Sequence, residues 1–442
     1  MPVMQKCFLV LFFSCWLAGA QSQQPYTPFE QIRRYTATQT PGKEDSAIHY
    51  LTNSIKEGIH YLYPLYQAIG WEEKFKKEEG DKNFYDNFSQ LLSFAGDMRM
   101  ADYYGTRSYD TLQRDARMFI QQQVDQLRDL QSINASGYIA GIALDAQVVM
   151  INEARNKPVH RAFTYGLLEQ LYKEGFRYLA MEMLSNHAGH SLNRLDDKTG
   201  FYAKEPVAGE MIRKAISLGY TLVPYEDTIA FRHTPSQRDS SQAAHIYEVI
   251  RRDPKAKILV HAGYGHISES AATPGYIPMG LAFKKLSGID PLTIDQTMFT
   301  EGSTFEYGRL YYDALMRKIS IDEPVVLLKN RQPYPLIDVK GYDVYVVHPP
   351  AVYKNNRPSW LALNGERKET TISPQEKALF LVQAYYEEEY NRQPLAELVP
   401  ADQTYVTSDY GYYSLYLKPG KYKIVFRDIG YKKLNERDRE VK

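Results

Sequence analysis

Residues Lys257–Ile267 read KILVHAGYGHI, an apolar strand that runs straight into two histidines separated by Ala-Gly-Tyr-Gly. Glycines at 263 and 265 predict a sharp turn at the strand's end, one that lets His261 and His266 converge at a single rim. Open α/β sheets build their sites at that rim, outside the carboxyl ends of the strands. Two upstream segments end alike: VVMINE stops at Glu153, and RYLAMEML carries Glu182 near its end. A single glutamate after a strand is ordinarily a solvated loop residue, and a histidine inside an apolar run is ordinarily a core residue. The repetition at one topological position is what makes a catalytic or metal-binding rim the expectation.

Around this stretch, between about residues 145 and 330, short β-rich runs alternate with amphipathic segments. VVMINE is followed by HRAFTYGLLEQLYKEG, RYLAMEML by AGEMIRKAISLG, YTLVPYE by SQAAHIYEVIRRD, and KILVHAG by MGLAFKKLSG; PLTIDQT, FEYGRLYYDALMRK and PVVLLKN complete the series. This spacing predicts βαβ units, hence an α/β fold with a mainly parallel sheet and helices on both faces. No glycine-rich phosphate loop follows the first strand, so nucleotide chemistry is not supported. Upstream, Asp45 to about Leu130 carries apolar residues at three- and four-residue spacing and reads as a helical lead-in. Residues 21–45, rich in Gln, Thr and Pro, read as an extended leader. Beyond about Asp338 the pattern turns to alternation, as in YDVYVVHP and LFLVQAYYEEE. In YYSLYLKPGKYKIVFRDIG the Lys418-Pro419-Gly420-Lys421 step has hairpin chemistry, so a β-rich C-terminal region such as a small sandwich is expected. The resulting division is a signal peptide over 1–20, the helical lead-in over 21–140, the α/β domain over 141–335 and the β-rich region over 336–442.

A chain of 442 residues has ample material for buried cores in two or three domains. With 53 basic and 53 acidic residues and no long run of one sign, nucleic acid and anionic membrane surfaces are poor partners; a small-molecule substrate or ligand is the expectation that goes with the functions considered below. Tyrosine is abundant, at 37 residues, and its amphipathic ring serves flat-ligand contacts and core edges equally well. At the N-terminus Lys6, the apolar run Cys7–Leu17 and Ala18-Gly19-Ala20 read as a secretory signal peptide cleaved near Ala20, so the protein is expected to be exported. Both cysteines, Cys7 and Cys15, lie in that segment; the mature chain would then lack disulfides, cysteine-ligated zinc and a cysteine nucleophile. A lipoprotein reading through Cys15 meets a poor match in Phe12-Phe13-Ser14. No other stretch is long and apolar enough to cross a membrane.

The order of INEA at 151–154, YLAMEM at 178–183, Arg238-Asp239 followed by AAHIYEVI, and VHAGYGHISE at 260–269 resembles the superfamily that groups erythromycin esterases, ChaN-like haem-binding uptake proteins and the TraB/Tiki proteins. The resemblance covers about residues 145–300 and rests on short motifs. It departs from the family pattern where a histidine would follow Glu153: Arg155 and Asn156 stand there, and the next histidine is His160, at the start of a helix that begins after Pro158. Arg155 would instead hold an anionic group or an oxyanion by charge-assisted hydrogen bonds.

Three kinds of function follow from the resemblance. In a hydrolase resembling erythromycin esterase, His266 or His261 deprotonates a water, oriented by Glu153 or Glu182, and an ester, lactone or amide is cleaved. With a divalent metal, as in Tiki-type members, Glu153, Glu182 and His266 would supply the ligands. In a haem-binding protein of the ChaN-like type, His261, His266 or Tyr264 would ligate iron. A non-catalytic envelope scaffold is the remaining alternative. Glu226 ends YTLVPYE on the same rim and is expected to act on the reacting groups or to orient them. His187 and His190 in SNHAGH and Asp295 in PLTIDQT are read first as structural, and Arg238-Asp239 as a helix cap.

Overall fold

The structure is a computed structural model that describes residues 27–38, 59–107, 114–182, 184–186, 191–229, 232–271, 274–303, 305–337, 341–373, 376–405 and 413–442. The expected signal peptide and the His187/His190 pair lie outside these residues.

Nine strands form the central sheet: β1 (Gln131–Asn134), β2 (Val148–Glu153), β3 (Tyr178–Met181), β4 (Thr221–Pro224), β5 (Ile258–Gly263), β6 (Leu292–Phe299), β7 (Val325–Lys329), β8 (Gln332–Pro333) and β9 (Val344–Val347). Their spatial order is β1-β7-β9-β6-β2-β5-β3-β4, with β8 on β7. The run β9-β6-β2-β5-β3-β4 is parallel, and β1, β7 and β8 join antiparallel at one side. A parallel sheet needs cover on both faces, and every residue of β2 and β5 is buried. Val149, Ile151, Leu179, Met181 and Leu259 pack under helices Pro158–Lys173 and Pro206–Leu218. Val148, Met150, Ala180, Ile258 and Val260 pack under helices Pro235–Arg252 and Met279–Ser287. The expected α/β architecture with helices on both faces is therefore the observed one.

The sheet reaches past residues 141–335 at both ends, taking β1 from the helical lead-in and β9 from the alternating C-terminal run. Beyond it come β10 (Tyr353–Lys354), β11 (Arg357–Pro358), β12 (Lys368–Ile372), β13 (Leu381–Tyr386), β14 (Asp402–Tyr405), β15 (Tyr413–Leu417), β16 (Gly420–Arg427) and β17 (Lys433–Val441). The Lys418–Lys421 step is not a hairpin: β15 pairs with β12, whereas β16 pairs with β13 and β17. The step is a corner between two antiparallel sheets. Leu415 and Leu417 of one share a core with Val382, Ile424 and Phe426 of the other, so burial of facing apolar rows outweighs the local turn preference.

The lead-in comprises helices Thr27–Ala37, Tyr63–Gly70, Glu72–Phe94, Met98–Arg107 and Arg114–Gln126. The reading of 21–45 as an extended leader is corrected over Thr27–Ala37, where helix formation buries Ile32 completely. Ile32 joins Leu62, Phe84, Phe88 and Leu92 in a core shared with Phe380, Leu381, Tyr405 and Tyr431 of the C-terminal region. No helix among the described residues is long and apolar enough to cross a membrane.

Beside this core a small cavity of about 20 Å³ lined by Tyr61, Leu91, Phe94 and Phe201 reaches Lys204. The Lys204 Nζ is buried without a hydrogen-bond partner, and burial outweighs the attraction of Asp197 and Asp196 to bring its pKa down to about 8. Lys204→Met is expected to stabilise the fold by about 1–3 kcal/mol at pH 7. The gain should shrink from pH 8 upward, where the folded amine is already neutral while the unfolded one is still charged. Urea unfolding at pH 7 and 9.5 checks both points.

Candidate active site

The pleat sorts the strand-end residues onto two faces. Ile151 and Glu153 of β2 lie level with His261 and Gly263 of β5, and Met181 of β3 is level with His261. Alternation therefore sends Glu153 and His261 toward helix Pro158–Lys173, and Glu182 to the opposite side. His261 and His266 do not converge, contrary to the expectation from the two glycines. Gly263 is extended, at φ −77° and ψ 137°; the turn is made by Tyr264, at φ 46°. Gly263 serves close approach instead, because a Cβ there would lie 2.9 Å from Glu182 Oε2. Gly280 does the same one element on: a Cβ would meet the Ile267 carbonyl oxygen at 2.3 Å, so only glycine lets helix Met279–Ser287 close on the turn that carries His266.

On the first face Arg161 is fully buried and grips Glu153 with both arms, Nε donating to Oε2 at 2.6 Å and Nη2 to Oε1 at 2.9 Å. Its Nη1 donates to Glu205 Oε2 at 3.1 Å, and Glu205 caps helix Pro206–Leu218 by accepting from the backbone N–H of Val207 and Ala208. Arg161 Nη2 also reaches the backbone oxygen of Arg155 at 3.3 Å, which fixes the turn after β2. His261 Nε2 stands 3.8 Å from Glu153 Oε2 and has no hydrogen bond; burial holds its pKa below the usual value. His160 does not swing back to the solvent side of the rim. It is fully buried, its Nδ1 accepts from Ala154 N–H, and its ring lies 5.3 Å from that of His348. Glu153, His160 and His261 thus form an inner layer sealed from solvent.

On the second face the groups are accessible. Glu182 Oε2 accepts from Gly263 N–H at 2.6 Å and Oε1 from Arg238 Nη2 at 2.9 Å, with Arg155 Nη2 3.7 Å from the same oxygen. Burial raises its pKa, but the charges of His266, Arg155 and Arg238 and the Gly263 N–H overcome this and bring it to about 2. Glu226 accepts from Arg238 through both oxygens and from Gln242 Nε2 at 3.0 Å, so it orients the arginine. His266 Nδ1 lies 2.9 Å from Asp239 Oδ2, which also accepts from Tyr276 OH at 2.6 Å and from Met279 N–H at 3.1 Å. Burial lowers the His266 pKa; the Asp239 hydrogen bond and the Glu182 charge more than reverse that and raise it. Its Nε2 is left at the rim, 3.4 Å from Arg238 Nη1. The Arg238-Asp239 pair is not the cap. Thr234 caps helix Pro235–Arg252 in a reciprocal capping box with Gln237, and Asp239 sits a turn further in, fully buried and facing His266. Tyr276, which sequence reading missed, lies in a loop that carries no motif. Asp295 is buried and accepts from Asn152 Nδ2 at 2.6 Å, a structural role.

The expected metal set does not fit these donors, and His266 does not suit a haem iron. Glu153 is occupied by Arg161 on the inner face, apart from Glu182 and His266, and Glu182 is taken up by Arg238 and Gly263. Among the described residues no group of three or more histidines or carboxylates could hold a metal ion. The Nε2 of His266, the nitrogen a haem iron would need, faces the Arg238 guanidinium. A larger open cleft of about 980 Å³, between helix Pro206–Leu218 and helix Glu387–Arg392, shares no lining residue with the rim. Three of its cations, Arg213, Lys214 and Lys418, are paired with Glu389, Glu366 and Glu210, and no histidine lines it. Comparisons of the chain with protein-family models, with curated proteins and with solved structures find no match.

Proposed function

We propose that the chain is an exported hydrolase resembling the erythromycin esterases, cleaving an ester, lactone or amide bond by general-base activation of water at His266. The observation that carries this reading is the His266–Asp239 pair: Nδ1 held 2.9 Å from a buried carboxylate, on a partly exposed side chain whose Nε2 lies beside Arg238 Nη1. A carboxylate on Nδ1 fixes the ring and stabilises the imidazolium that forms. Nε2 takes a proton from water as its oxygen bonds the carbonyl carbon, then returns it to the departing alkoxide or amine. Arg238 Nη1, beside Nε2, donates to the developing oxyanion, and Glu182 and Glu226 keep that guanidinium in place. Tyr276 and Met279 N–H orient Asp239.

A panel of esters, lactones and amides tests the reading. His266→Gln is expected to lower kcat/KM about 100- to 10,000-fold with folding intact. In the wild type, kcat/KM should rise with pH through an apparent pKa above 6.5, the direction in which Asp239 and Glu182 move His266. Asp239→Asn should shift that limb to lower pH, a change that a purely structural role would not produce. Full activity in His266→Gln removes the histidine from the mechanism.

A further inference from the structure

We infer that Arg155 is the binding residue for a negatively charged group on the substrate itself, a carboxylate or a phosphate monoester, carried a short arm from the bond that is cut. The inference rests on the hydrolase reading for the word substrate, but the binding site stands on its own geometry. Arg155 and Asn156 stand where the resembled family's pattern would place a histidine.

The hydrogen-bond accounting around Glu182 leaves Arg155 in surplus. Glu182 already accepts from Gly263 N–H and from Arg238 Nη2, and the approach of Arg155 Nη2, at 3.7 Å, is too long for a hydrogen bond. The Nε of Arg155 is buried and has no hydrogen-bond partner. An unpaired buried N–H of a cation is unfavourable and calls for an acceptor. The guanidinium lies 5.6 Å from the Tyr202 ring centroid and 5.8 Å from that of Tyr264, and with the side chain 36% exposed we take the space between these rings as the slot an anion would enter. Tyr264 holds that place from a left-handed backbone, φ 46°, unfavourable for a bulky residue and retained where the surroundings impose it. The slot opens at the reacting centre: Arg155 and Arg238 approach the same Glu182 oxygen, and Arg238 is 3.4 Å from His266 Nε2. A planar fork beside aromatic faces suits carboxylate and phosphate oxygens, which accept from two N–H groups at once.

Succinate and inorganic phosphate, titrated calorimetrically into the intact protein, separate the two sources of the anion. Saturable one-to-one binding of either, weakened about tenfold or more in Arg155→Gln, is the expected result. Phosphate alone assigns the slot to phosphate monoesters, and succinate alone to carboxylates. Arg155→Lys keeps the charge and loses the fork, so it should bind more weakly than wild type and more tightly than Arg155→Gln. His266→Gln should bind the probes within about twofold of wild type, because binding precedes and does not need the base. Retained binding in a protein that hydrolyses nothing would therefore remove the hydrolase reading and leave the anion site. No binding of either anion, or equal binding in wild type and in both Arg155 variants, overturns the proposal. Arg161 grips the backbone oxygen of Arg155, so both substitutions leave the turn anchored.

Discussion

Arg161→Met is expected to remove about 3–5 kcal/mol of folding free energy, enough to leave the chain partly unfolded at 37 °C. Arg161 and Glu205 have no exposed side-chain surface and Glu153 has almost none, and among the described residues Arg161 is the one arginine or lysine paired with these two carboxylates. Its removal strands two buried carboxylates, and Glu205 is already held above its usual pKa by burial that outweighs Arg161 and two backbone donors. In the variant Glu205 is pushed further up. Folded-state pKa values above the unfolded ones mean that the folded form binds the extra protons, so the variant should recover part of its loss as pH falls from 7 to 5. Urea unfolding of wild type and variant at those two pH values is the check. A loss below about 1 kcal/mol at pH 7 would mean that water reaches the layer and replaces the arginine.

Wild-type protein should itself lose stability through its buried histidines on mild acidification below pH 6, against the opposing pull of Asp97, whose carboxyl burial raises to about 7. Three buried histidines are responsible. Burial holds His348 down to about 3, His160 is well below its ordinary value through burial and the neighbouring His348 and Lys157, and His261 is lowered as well. Because each folded pKa lies below the unfolded value near 6.5, the unfolded chain binds protons that the folded chain refuses, and stability falls as pH drops through that window. His348 contributes about 1.4 kcal/mol per unit below pH 6, and His160 and His261 add in the same direction. His266, raised rather than lowered, contributes its stability below pH 6.5 and loses it at higher pH, so it does not offset the acid slope. Below about pH 4.5 Glu182, with its folded value near 2, adds to the loss. His348→Gln should flatten the slope by about 1.4 kcal/mol per unit. An acid slope unchanged in His348→Gln would contradict a neutral, dry histidine layer.

The sheet was legible because strand and helix periods alternate cleanly from VVMINE to PVVLLKN. The division of its rim was not. VVMINE and KILVHAG are buried on both faces, so the alternation that would reveal which way Glu153, His261 and Glu182 point is absent from the sequence. Arg161 was hidden inside an otherwise ordinary helical pattern, where a charged residue is read as a solvated face until its partners are known. Asp239 was mistaken for a cap because Arg-Asp falls in the first turns of a helix, although Thr234 followed by Gln237 is itself a capping signal. That signal, applied first, would have freed Asp239 for His266. Arg155 was recognisable as a departure from the family pattern, but its missing partner and its tyrosine walls depend on Tyr202, from a segment with no motif.

The core that ties Ile32, Leu62 and Phe88 to Phe380, Tyr405 and Tyr431 has a temporal consequence. During synthesis the first helices emerge hundreds of residues before the strands that complete their burial. Until then their apolar faces close only on one another, and contacts of such sequence separation form slowly. The early chain is therefore a client for whatever holds nascent protein open. If it leaves the cytoplasm as proposed, that delay keeps it threadable until its last strands have followed.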